Sequence, residues 1–69
     1  MPLTLCPSGQ MAVIKKIGGK DETKRFLATL GFTPGEHVTI VSENGGNMII
    51  NVRDSRVALD RTLAQRIVV

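Results

Sequence analysis

Apolar residues come in short runs separated by glycine and proline, and their spacing changes along the chain. Leu3 and Leu5 alternate as a short extended lead-in, closed by Pro7-Ser8-Gly9. Met11 to Ile17 is rich in β-branched residues and reads as a strand that Gly18-Gly19 ends. Ala12 and Ile14 share one face, whereas Ile17 has the opposite parity. A β-bulge at Lys15-Lys16 is predicted to return Ile17 to the core side.

The period then becomes helical. Phe26, Leu27 and Leu30 recur on one side, which predicts a helix over Asp21–Leu30. Asp21 is its expected N-cap, Glu22 suits the positive end of the dipole, and Gly31 supplies a left-handed stop. About three turns is too short to persist alone in water, so the helix must dock on a sheet. Phe32, just beyond it, is assigned to the core.

Thr33-Pro34-Gly35-Glu36 fits a type II turn, after which the period is two. Strands are predicted over His37–Glu43 and Asn47–Arg53. A two-residue Gly45-Gly46 loop would pair Val38 with Arg53 and Ile40 with Asn51, mixing core and solvent positions. A three-residue loop, Asn44 to Gly46, pairs Val38 with Val52, Ile40 with Ile50 and Ser42 with Met48, and is the expected register. A turn at Asp54-Ser55 then sets Val57 opposite Val52 and Leu59 opposite Ile50. Asp60 is positioned to cap a one-turn helix through Gln65, and Ile67–Val69 forms a last strand. The expected fold is mainly β: one domain over residues 1–69, a partly open barrel of about five strands, one helix near residues 21–30 and a short C-terminal helical turn.

Composition narrows the function. Nine Lys and Arg against six Asp and Glu leave +3, modest for a dedicated nucleic-acid binder, and two Phe with no Tyr or Trp offer little for stacking bases. No apolar run can span a bilayer, and from the Pro2–Cys6 stretch no secretory signal is expected. Cys6 is the single cysteine, so no internal disulfide forms and a reducing, cytoplasmic setting is expected.

Catalytic constellations are not apparent. Cys6 and His37 are far apart in sequence, with no CxxC or HExxH spacing around them. Gly18-Gly19-Lys20 lacks the spacing of a phosphate loop and reads as a turn before the helix. The chain is therefore expected to be neither an enzyme nor the holder of a cofactor, and its ligand spacing does not support an Fe(II) site.

The outer side of the sheet is more informative. The expected register sets Val41 opposite Ile49, His37 opposite Arg53, Arg53 opposite Arg56, and Ala58 beside Asn51. A patch joining Val41, Ile49 and Ala58 to His37, Arg53 and Arg56 suits a protein partner with an acidic, partly apolar face. The competing arrangement folds Leu3 and Leu5 over Val41 and Ile49 and leaves the arginines solvated.

The stretch from Arg25 through Leu30-Gly31 and Pro34-Gly35 to Val38 resembles the FeoA family, small accessory proteins of bacterial ferrous iron uptake. The run Asn51 to Leu59, the end Ala64 to Val69, Gly9 and the series Ala12, Ile14, Ile17 are similar as well, so the likeness covers nearly the whole chain. One departure is the compact Asn44-Gly45-Gly46-Asn47, where many members carry a longer, proline-containing connection.

The resemblance implies an SH3-like barrel and a non-enzymatic, cytoplasmic protein that regulates the ferrous iron permease FeoB, a membrane protein with a GTPase region. It places the chain in the setting of transition metal ion binding and iron transport. Arg25, Arg53 and Arg56 sit at family-like positions, and Arg25 thereby joins the candidate partner-binding residues. The implied partner is an FeoB-type permease, with recruitment to the inner face of the membrane through it, and neither nucleic acid nor membrane insertion is expected. An exposed edge strand leaves self-association open. The alternatives are an SH3-like accessory domain of an iron-dependent transcriptional regulator, and a metal-delivery protein using Cys6 or His37.

Overall fold

A computed structural model describes residues 1–69. A 3-10 turn, Leu3–Leu5, is followed by β1 (Met11–Val13), β2 (Lys16–Ile17), α1 (Asp21–Thr29), β3 (His37–Asn44), β4 (Asn47–Val52), β5 (Ser55–Asp60), α2 (Arg61–Ala64) and β6 (Ile67–Val68). One sheet has the order β1-β3-β4-β5 and the other pairs β2 with β6, all antiparallel. Together they form the mainly β, partly open barrel that the spacing predicts, with six strands rather than five.

The extra strand arises at Ile14. The predicted Met11–Ile17 strand divides there, because Ile14 turns into the core while its neighbours change partners. Its N–H donates to the Glu36 carbonyl, and Lys15 N–H donates to the Val68 carbonyl in the second sheet. A change of sheet thus replaces the expected bulge at Lys15-Lys16, and it delivers Ile17 to the edge of the core.

Helix α1 begins at its expected cap, Asp21, so the cap itself falls one residue earlier. Lys20 is the N-cap and makes no side-chain capping bond, so Asp21 is the first helical residue, favourable there through its charge. At the other end, Gly31 N–H donates to the Ala28 carbonyl and Phe32 N–H to the Leu27 carbonyl, a Schellman closure with Gly31 at φ 103°. Only Leu27 of α1 is fully buried; Leu30 packs at the margin, and Phe26 is half exposed rather than core. Phe32 is fully buried, as its position predicts.

The β3–β4 hairpin reconciles two registers that period-two alternation alone makes exclusive. Val38 faces Val52 and Ile40 faces Ile50, as expected from the side chains. A bulge at Val41 then shifts the ladder, so that Ser42 pairs with Ile49 and Glu43 with Met48. The connection is therefore the two-residue Gly45-Gly46 loop, both glycines at positive φ as a type I′ turn requires, and not the three-residue loop. The expected pairs Ser42–Met48 and Val41–Ile49 are displaced by the same bulge.

The β4–β5 turn is also one residue earlier than expected, at Arg53-Asp54. It sets Val57 opposite Ile50 and Leu59 opposite Met48. The slide is two residues, which leaves the β5 side chains on their predicted faces.

Twelve apolar residues form the core, including Val38, Ile40, Met48, Ile50, Val52 and Leu59 from the larger sheet. Burying each such side chain stabilises the fold by about 1.5–3 kcal/mol relative to exposure. Leu3 joins them from the lead-in, and the lead-in is a 3-10 turn rather than an extended piece. Asp60 caps α2, accepting the Thr62 N–H at 2.7 Å, as predicted.

Candidate protein-docking surface

Alternation along β3, β4 and β5 buries one face of the larger sheet and turns the other outward. Across the outer face runs the row Met11, Thr39, Asn51, Arg56, each opposite the next on the neighbouring strand. Beside it, Ile49 lies opposite Ala58, with the bulged Val41 next to them, and Val13 lies opposite His37. Met11 is 62% exposed, Val13 46% and Val41 37%, so the face presents apolar side chains to solvent. Leu3 is in the core and Leu5 projects into water, so the lead-in does not cover it.

Five of the seven sequence-derived residues are thus strand neighbours on one surface: His37, Val41, Ile49, Arg56 and Ala58. Their contacts differ from the expected ones. Arg56 is opposite Asn51, whose Oδ1 accepts from Arg56 Nε at 3.3 Å, and Ala58 is opposite Ile49 rather than Asn51. Arg53 occupies the hairpin tip and pairs with Glu36, Nε to Oε2 3.6 Å. The Arg53–Arg56 like-charge opposition therefore does not arise, because the earlier turn moves Arg53 out of the ladder. Arg25 lies elsewhere, on α1.

Arg25 borders an open groove of about 460 Å³, lined also by Lys16, Ile17, Lys24, Ala28, Phe32, Thr33 and Pro34. Sequence reasoning missed this groove, as it missed Met11 and Val13 on the outer face. The exposed pair Lys24-Arg25 beside Ala28 was the available signal. Only Arg53 and Arg61 form ion pairs, with Glu36 and Glu43, and the remaining Lys and Arg side chains form none.

Metal-ligating groups do not converge. Cys6 is half-buried in the lead-in, His37 is exposed at the start of β3, and no three His, Cys, Asp or Glu side chains are grouped to hold an ion. No helix is long and apolar enough to cross a membrane.

The family described as FeoA domain matches residues 1–69. A protein of Methanocaldococcus jannaschii bearing the provisional name Fe(2+) transport protein A is 28% identical over 68 residues, 99% of this chain and 83% of the relative. Stenotrophomonas maltophilia FeoA, solved with zinc and described as a procaryotic SH3 domain protein, matches with a TM-score of 0.85 and 31% identity, over 99% of this chain and 87% of its own. A crystal structure of an FeoA described as an iron uptake regulatory protein gives 0.89 and 26%, over 97% and 91%. A manganese-dependent transcriptional repressor shares the fold alone, at 0.87 with 18% identity over 97% of this chain and 39% of the repressor. The open barrel is of the SH3-like kind.

Proposed function

Because the chain belongs to the FeoA family along its whole length, we propose that it is a non-enzymatic accessory protein of ferrous iron uptake that binds the cytosolic GTPase region of an FeoB-type permease. The observation that carries this reading is the uncovered outer face of the larger sheet, where exposed Met11, Val13 and Val41 adjoin His37 and Arg56. Apolar area supplies affinity once water is excluded, and the cations choose a partner with an acidic complement. Arg53 lies at the β4–β5 hairpin tip, at the end of the same sheet.

Such a module acts by differential affinity. If the face fits one conformation of the permease better than another, binding shifts the transporter toward it with no chemistry of its own. Recruitment to the inner face of the membrane comes, on this reading, through the partner. Metal delivery is not favoured, because Fe(II) prefers oxygen and imidazole donors and His37 has no ligand cluster around it. The likeness to a repressor brings no residue-level support for a role in transcription.

Titration calorimetry against the permease's cytosolic region, with and without guanine nucleotide, tests the proposal. Arg53→Glu with Arg56→Glu is expected to weaken association at least tenfold while leaving the circular dichroism spectrum unchanged. Equal affinity of the variant and the native chain would remove this face from the interaction.

A further inference from the structure

A second surface, lined by none of the outer-face residues, has its own chemistry. The apolar part of the groove between α1 and β2 is made by half-buried Ile17 with exposed Ala28 and Pro34, over the buried ring of Phe32. Its walls carry Lys16 from β2 and Lys24 and Arg25 from α1, and no acidic side chain lines it. Lys24 and Arg25 each lie within one helical turn of Ala28, so both reach over the same strip of floor. None of the three cations has an ion-pair partner. Arg66 adds to the field from the adjoining Gly18-Gly19 corner, where its side chain passes over Gly19.

We infer that this groove takes an extended acidic peptide segment of a partner protein, with an apolar side chain seated against Ile17, Ala28 and Pro34 and carboxylates against Lys16, Lys24 and Arg25. The charge pattern selects that occupant. Unpaired cations around an apolar floor are complementary to a segment that mixes carboxylates with an aliphatic anchor. A nucleic acid would want a longer basic stripe and an exposed stacking ring, whereas Phe32 is fully buried. The volume of about 460 Å³ lies within the range of clefts that hold a ligand group.

The inference does not rest on the outer-face reading, and its test needs no permease. The probe is a short fluorescent peptide with acidic residues flanking a central leucine, followed by polarisation. Saturable binding that weakens with added salt is expected, and the isosteric neutral peptide, with glutamine and asparagine for the acids, should bind at least about tenfold more weakly. Lys24→Glu with Arg25→Glu, both exposed on α1, should also lower affinity at least about tenfold, and Lys16→Glu on β2 should do so independently. Ala28→Gln fills the groove without altering charge, so a several-fold loss there separates seating in the groove from general attraction. The inference is overturned if no saturable binding occurs, if the neutral peptide or the charge-reversed chain binds equally well, if a labelled DNA duplex binds more tightly, or if Lys24→Glu instead abolishes self-association of the chain.

Discussion

Arg53 reaches Glu36 across 3.6 Å, joining the tip of the β4–β5 hairpin to the turn that feeds β3. The backbone of Arg53 lies at φ 55°, the one residue other than glycine in the left-handed region. Its side chain also crosses Gly31, where an added Cβ would lie 3.6 Å from Arg53 Cδ. The left-handed conformation costs roughly 1–2 kcal/mol for an L side chain. The arginine side chain is 59% exposed, and an exposed ion pair returns about 1 kcal/mol or less. Local stability thus gives arginine no advantage here, and a side chain held against its own backbone preference fits a part in the proposed recognition.

The strain is separable from the ion pair. Arg53→Gly removes both, whereas Arg53→Ala removes the pair and keeps the strain. The glycine variant should be more stable than the alanine variant by about 1 kcal/mol in urea unfolding. Equal stabilities would mean that the hairpin tip relaxes when the arginine is cut back.

Gly31 answers two demands at once. Its φ of 103° closes α1, and an added Cβ would sit 3.4 Å from Val52 Cγ2. Gly35 has a similar φ of 90° but nothing within 4 Å. Gly31→Ala should therefore cost more than Gly35→Ala, by a margin that reflects contact with Val52 rather than backbone strain. Gly35→Ala alone is expected to cost about 1–2 kcal/mol in the same unfolding assay.

The β3–β4 loop can be probed through Gly45, which is at φ 56° with open space around it. Asn-Gly is favoured in a type I′ turn, so Gly45→Asn should raise the thermal midpoint, worth about 0.4–1 kcal/mol through the less flexible unfolded chain. Gly45→Val, β-branched at a left-handed position, should lower it. A three-residue loop would place only its last glycine in that region, and would leave valine at 45 nearly neutral.

Core and bulge should respond very differently to truncation. Ile50 is fully buried, and Ile50→Ala is expected to cost about 2–5 kcal/mol. Val41 is the bulged, outward residue, and Val41→Ala should change stability by about 0.5 kcal/mol or less. Chemical denaturation of both variants checks the contrast.

The legible part of the structure is what local rules decide. Val38, Ile40, Ile50 and Val52 declare an inner face because the period of two admits no other sharing of one side. Pro34-Gly35 and Asp60 announce their turn and cap through backbone chemistry that neighbouring residues do not override. The bulge at Val41 left no such mark. Two registers, each valid over half the hairpin, are joined by one extra residue, and the pattern alone presents them as rivals. The change of sheet at Ile14 was hidden for a related reason, since a strand that changes sheets keeps its composition throughout. Phe26 follows helical spacing, yet a nine-residue helix on a small core buries only the side centred on Leu27. Of the candidate surface, the sheet residues followed once the faces were known. The groove did not, because Lys16 meets Lys24 and Arg25 only through the packing of α1 beside β2.

The most direct test of the outer face is a chemical-shift map of the isotopically labelled chain, titrated with the permease's cytosolic region. Shifts are expected to concentrate at Met11, Val13, Thr39, Val41, Ile49, Arg56 and Ala58. Resonances at these positions that stay unmoved while the complex forms would contradict docking through the sheet.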